Sequence, residues 1–223
     1  MSFYQNLQEA TESERHYLMS SPIISACLAG EITLEDYVAF LQQAYHHVKH
    51  TTPLLMATGA SLPESKEWLR NAVAEYIEEE LGHQEWILND IQACGFDKKK
   101  ARQSKPNLST ELMIAYAYDM VNRVSPLGFF GMVNVLEGTS IAIADMAAGK
   151  IRETLNLPDK AFSYLRSHGA LDQEHIRFFK GLMDRIKNEK EQEQIIHSSK
   201  AFYVLYGNVF RELSPKQAEM LAA

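Results

Sequence analysis

Residues 163–183 read SYLRSHGALDQEHIRFFKGLM, and their spacing fits one kind of element. His168, Asp172 and His175 fall at i, i+4 and i+7, and Phe179 and Met183 continue the same stripe. At 3.6 residues per turn these five side chains share one helix face. Phe179 and Met183 turn that face towards a core, so the polar half of the stripe points there too. Two imidazoles with a carboxylate between them, one turn apart, can meet a metal ion from a single helix.

Outward from this segment the chain reads as helix after helix. No stretch alternates apolar and polar residues between hairpin turns. Thr33-Leu34-Glu35-Asp36 is a capping box, and the helix it opens places Val38, Leu41, Tyr45 and Val48 on one face and runs towards Leu55. Leu62-Pro63-Glu64-Ser65 breaks the chain, and the next helix runs past Trp68, Val73, Tyr76, Ile77, His83 and Ile87 to Cys94-Gly95. Leu112 to Val124 is another helix, Ser125-Pro126 a break or kink, and Leu127 to about Leu155 a long apolar helix closed by Asn156-Leu157-Pro158-Asp159. Helices from Pro158 to about Lys187 and from Glu191 to about Leu213 follow. One helix ending at Met19 and a short one from Pro22 to Leu28 come first. Long helices with short connections pack as a bundle, whose sites lie between facing helices. With 223 residues, 46% of them hydrophobic, residues 1–223 are expected to form one domain.

Charge and composition narrow the function. The formal net charge of -7 leaves no basic surface for nucleic acid, and Lys98-Lys99-Lys100 sits in a connection. Two cysteines, Cys27 and Cys94, are too few for a disulfide framework and read as buried thiols of a reducing compartment, which points to the cytoplasm. The first residues lack a signal peptide's apolar core, and the apolar run Ile141 to Ala148 is interrupted by Asp145, so no membrane partner is expected.

Other helices add candidate ligands. Glu137 shares a stripe with Phe130, Val133, Ile141 and Ala144, and a carboxylate in apolar surroundings must find a cation, a metal or a proton. Pairing with Arg123 or Lys150 is the alternative to metal, as Arg166 or Arg177 is for Asp172. Glu80 and His83 stand at i, i+3, the spacing used in dimetal bundles, with Glu79 as the rival carboxylate. His47 is the metal candidate of an earlier helix, where His46 and His50 compete with it. Tyr45, Tyr76 and Tyr164 fall, by helical phase, where pocket walls or redox groups would be.

On His168-x-x-x-Asp172-x-x-His175, placed one helix length after Glu137 and with His83 earlier, the chain resembles the heme-oxygenase-like non-heme diiron oxidases and oxygenases. Within them it resembles the para-aminobenzoate-forming CADD-like proteins. The resemblance covers about Ile32 to Leu213 and implies an all-α, heme-oxygenase-like (TenA/PqqC-like) bundle. It implies two non-heme iron ions, O2 as co-substrate and a small organic substrate. His83, Glu137, His168, Asp172 and His175 become iron ligands, with Glu137 bridging and Glu80 or Glu79 adding a carboxylate. His47 stands where several relatives carry a Glu. A homodimer is the default expectation.

The wider superfamily offers a metal-free alternative. Phe40 to His47 looks like a thiaminase helix with Ala44 at the pocket Asp, and Tyr206-Gly207-Asn208-Val209-Phe210 looks like Tyr-Glu-x-x-Phe with Gly207 at the catalytic Glu. No cysteine follows Cys94 to act as that chemistry's nucleophile. A heme oxygenase would need an early proximal histidine, for which His16 is the candidate.

Overall fold

The computed structural model describes residues 1–213, with the backbone but not the side chains of residues 168–174. Helices supply its regular structure, and no strand occurs among the described residues. They are α1 (Phe3–Ala10), α2 (Glu12–Met19), α3 (Pro22–Ala29), α4 (Leu34–Val48), α5 (Thr51–Ser61), α6 (Glu67–Glu80), α7 (His83–Ala93), α8 (Lys98–Gln103), α9 (Leu108–Asp119), α10 (Phe129–Leu155), α11 (Ser163–Arg185) and α12 (Glu189–Glu212).

Local chemistry explains most of the boundaries. Thr33 and Asp36 form the expected capping box at the start of α4, each satisfying the other's backbone N–H. Asn156, the left-handed residue beyond Leu155, stops α10 where expected. Three helices that read as continuous are divided. The N-terminal one splits at Thr11, and the one towards Leu55 splits at Lys49–His50. The third divides at Leu81–Gly82, where Gly82 adopts φ 91°. A glycine inside an apolar period reads as tolerated, yet positive φ is its natural state and strained for other residues. Nothing crowds Gly82, so Gly82→Ala should lose about 1–2 kcal/mol from backbone strain alone, measured by urea unfolding. Leu112 to Val124 likewise divides, α9 ending at Asp119 and a π-helical turn covering Met120–Val124.

α10 is the axis of the bundle, packed against α11 and α12. Together with the turn before it, it spans Pro126–Leu155, long and apolar enough by composition to cross a membrane, which the Asp145 interruption had concealed. Of its most apolar window, 61% is buried inside the protein, as in the core helix of a globular bundle.

The core has two parts. One gathers Leu54, Val73, Phe130, Phe179, Phe202 and Tyr206. The other gathers Tyr37, Leu41, Ile87, Ile91, Phe162 and Leu165. A cavity runs between them, with lining residues from both.

Candidate metal centre

The break at Leu81–Gly82 lies beside this cavity. It leaves Tyr76, Glu79 and Glu80 at the C-terminal end of α6 and His83 as the first residue of α7. Carboxylates at a helix C-terminus face the negative end of the helix dipole, an arrangement that costs stability unless something offsets it. Here histidines do. Glu80 Oε2 lies 3.0 Å from His83 Nδ1, and Glu79 Oε2 lies 3.0 Å from Nε2 of His175 on α11. The other nitrogen of His175, Nδ1, is 3.9 Å from Oε1 of Glu137 on α10.

Four helices, α6, α7, α10 and α11, therefore converge. His83 is almost fully buried and lies against the Trp86 ring, centroids 4.1 Å apart. The Glu137 side chain keeps 13% of its exposure. Burial first, then the negative charge of Glu137, Glu79 and Glu80, pushes the Tyr76 phenol well above its usual range. Tyr76 therefore stays protonated beside them.

Glu80, Glu137 and His47 all line the cavity. Among the α4 histidines, His47 is the one that faces it, its ring edge-on to Tyr206. His46 turns to the other side, with Nε2 2.9 Å from Ser104 Oγ. Burial first, then Lys49 and His50, drops its pKa to about 4. His50 Nδ1 lies 3.0 Å from the Tyr118 hydroxyl. Neither is placed to share a metal with Glu137.

The remaining expectations divide. Tyr164 lines the cavity and Tyr76 stands beside Glu137, but Tyr45 does neither. Tyr45 packs on His46 with the Lys49 ammonium over its ring, so its reading as a pocket tyrosine is corrected. It shares a face with Leu41 and Val48, and that face belongs to the second core. Arg123, an alternative partner for Glu137, is held by Asp119 at 2.6 Å, and Arg166 by Asp159 at 3.0 Å. His168 and Asp172 lie outside the described residues. Among the described residues the ligand-type groups meet in pairs, and no three of His, Cys, Asp or Glu gather round one point.

Two features went unread in the sequence. Glu79 is the carboxylate that reaches His175, while Glu80 serves His83, so both rivals are used. Asp90 of α7, completely buried, accepts bonds from the Ser163 N–H at 3.1 Å, the Tyr164 N–H at 2.8 Å and the Ser163 hydroxyl. It thereby caps α11, the helix of His168, Asp172 and His175.

The sequence profile of the family described as iron-containing redox enzymes matches residues 38–207. The chain belongs to that family. Those residues include His47, Glu79, Glu80, His83, Glu137, His168, Asp172 and His175. No curated protein sequence matches the chain.

Among solved structures, this iron-containing redox enzyme is similar to a heme-oxygenase-like domain of unknown function from Shewanella denitrificans. The TM-score is 0.87 at 22% identity, over 100% of this chain and 96% of that one. It is also similar to a TenA homolog from Pseudomonas syringae pv. tomato, TM-score 0.77 at 12% identity over 94% and 91% of the two chains. Heme oxygenase from Leptospira interrogans gives 0.74 at 20% identity over 95% and 100%. The fold is thus heme-oxygenase-like.

Two positions bear on the metal-free alternative. A Cβ on Gly207 would stand 3.0 Å from the Tyr17 ring and 3.2 Å from the Leu18 backbone, so α2 occupies the space that a larger side chain at 207 would need. Burial raises the Cys27 thiol, which lines the cavity, to about 11 and away from nucleophilic thiolate. His16, the candidate for a proximal heme ligand, is exposed on α2 and does not line the cavity.

Proposed function

We propose that this iron-containing redox enzyme is a non-heme oxidase or oxygenase that uses two iron ions and O2 against a small organic substrate held in the cavity. One observation carries the reading. Carboxylates and imidazoles from α6, α7, α10 and α11 approach in pairs of 3.0–3.9 Å beside the cavity, and Glu80, Glu137 and His47 open into it. Oxygen and imidazole nitrogen donors of this kind suit iron. The residues present therefore fit the metal the family is described by. Glu137, His83, His175 and Glu80 would hold it, joined by His168 and Asp172 and, from α4, by His47.

Iron held by these residues would supply the redox chemistry towards O2. The chain's own groups prepare the place. Glu79 orients the His175 ring from one side while Glu137 faces its other nitrogen, the arrangement by which a carboxylate fixes an imidazole's tautomer. Tyr76, held protonated by burial and neighbouring carboxylates, keeps a hydroxyl proton beside Glu137. Leu136, Ile143 and Ala144 surround the carboxylate end with apolar wall and exclude water.

Anaerobic Fe(II) loading followed by elemental analysis tests this reading. The wild-type chain should retain about two irons, and Glu137→Ala and His168→Ala should each lose at least half of that content. Unchanged iron in both variants would overturn the proposal.

A further inference from the structure

An iron site that reduces O2 must itself be supplied with electrons, and one face of the protein is arranged to admit them. His83, the first residue of α7, is almost fully buried, and its ring lies against that of Trp86 with centroids 4.1 Å apart. Trp86 is part-exposed, so a single aromatic side chain spans from a candidate iron ligand to solvent. Electron transfer falls off steeply with separation. A ring that touches the ligand on one side and is open to a partner on the other keeps that separation short.

Around Trp86 the charge of the surface is reversed. The chain as a whole carries -7, yet five of the eight residues from Lys98 to Lys105 are Lys or Arg. This stretch builds α8, which Asp97 caps through the N–H groups of Lys99 and Lys100. Two contacts hold α8 along α7: Arg102 Nη2 donates to Glu85 Oε2 at 2.7 Å, and Lys98 Nζ donates to Asn89 Oδ1 at 3.0 Å. Glu85 immediately precedes Trp86, and Asn89 stands one turn beyond it, at i+3. Lys99, Lys100, Arg102 and Lys105 are exposed, as is Phe96 in the connection between the two helices.

Exposed aromatic rings inside a charged rim are the make-up of a protein–protein contact. The sign of the rim selects the partner. An anionic protein is repelled by most of this surface and attracted to the α8 strip, which steers it and fixes its orientation over Trp86.

We propose that Trp86 and the basic strip of α8 form an electron-entry surface, where an acidic one-electron carrier protein docks and passes electrons through the Trp86 ring towards His83. This rests on the reading of His83 as an iron ligand. Each encounter moves one electron and breaks no bond: the carrier is oxidised by one electron and one ferric ion becomes ferrous, so two encounters serve two irons. The contact is of the small, transient class, burying less than ~1,200 Å².

The test uses a plant-type [2Fe–2S] ferredoxin as the acidic carrier. Calorimetry at ~0.01 M salt should show it binding the full-length protein with or without iron, and binding should weaken about tenfold or more at ~0.15 M salt. The exposed pair Lys99→Glu/Lys100→Glu should weaken it by about tenfold or more at low salt and leave iron content unchanged. Reduced ferredoxin is then mixed anaerobically with ferric-loaded protein, and its reoxidation is followed by its visible absorbance. Trp86→Leu should slow this transfer about tenfold or more while ferredoxin affinity stays within about twofold. Trp86→Phe, which keeps a ring against His83, should recover most of the rate. Dithionite, which needs no docking, should reduce the charge-reversed variant as fast as wild type. Equal ferredoxin affinity in wild type and the charge-reversed variant, or wild-type transfer rates in Trp86→Leu, would overturn the inference. Ferredoxin binding that responds to charge reversal as expected, in protein that retains no iron to accept electrons, would instead count against the two-iron reading alone.

Discussion

Gly131→Ala should lower the melting temperature by about 6–12 °C, the equivalent of roughly 3 kcal/mol in a chain of this size. The reason is the crossing of α10 over α12. A Cβ on Gly131 would meet Ser198 Oγ and would also stand 2.6 Å from the Ser199 backbone nitrogen and 2.9 Å from the Ser198 carbonyl carbon. The side chain could rotate away; the backbone cannot. The two helices would have to separate, loosening the core on both sides, including the wall that carries Glu137 six residues further along. Removing the hydroxyl with Ser198→Ala should therefore rescue only part of the loss. Gly149→Ala on the same helix is the control. Nothing lies within 4 Å of its new Cβ, so helix propensity alone should add about 0.5–1 kcal/mol. Thermal unfolding of the two variants side by side checks both signs, and equal effects at the two positions would show that the close crossing is not what Gly131 serves.

How much of this was legible in the chain depends on what each signal reports. Helix boundaries at Thr33 and Asn156 follow from local capping and turn chemistry, which a sequence states directly. The ligand-bearing faces of α10 and α11 were legible because Glu137 and His175 interrupt apolar stripes. The histidines around the end of α4 were not resolved, since His46, His47 and His50 span little more than one turn and the cavity passes between two cores. An apolar neighbour such as Leu41 then marks a buried face without saying whether the cavity lies on it, which is why Tyr45 was misread. The chain break at Gly82 was hidden by the uninterrupted apolar period around it. It turns Glu79 and Glu80 towards different histidines, a division no fixed spacing on one straight helix describes. The role of α3 in the cavity wall, through Ile23, Ile24 and Cys27, depends on long-range packing that local pattern does not encode.

Asp90 depends on the same long-range packing, and its replacement is the more telling experiment for the site. It sits on α7, two turns beyond His83, and its carboxylate accepts from two backbone N–H groups and a hydroxyl at the start of α11. Asp90→Ala would leave those donors in a buried place without their acceptor, a loss of about 2–4 kcal/mol that should lower the melting temperature by roughly 5–12 °C. Because Asp90 joins the helix of His83 to the helix of His168, Asp172 and His175, it is a positioning residue. The variant should accordingly also retain less iron after loading, at temperatures where it is still folded. Asp90→Asn keeps one acceptor oxygen and should recover much of both properties. Burial raises the Asp90 pKa, opposed by its hydrogen bonds from Ser163 and Tyr164. A carboxyl whose pKa is raised by folding binds its proton more tightly in the folded state. Its contribution is therefore fullest below the unfolded value, ~3.9, and is lost as pH rises through the folded value. The stability difference between wild type and Asp90→Asn should thus move in favour of asparagine as pH rises from about 4 to about 6. Urea titrations across that interval measure it directly, and a difference that stays flat or moves towards wild type would mean that the buried carboxylate is not strained by its charge.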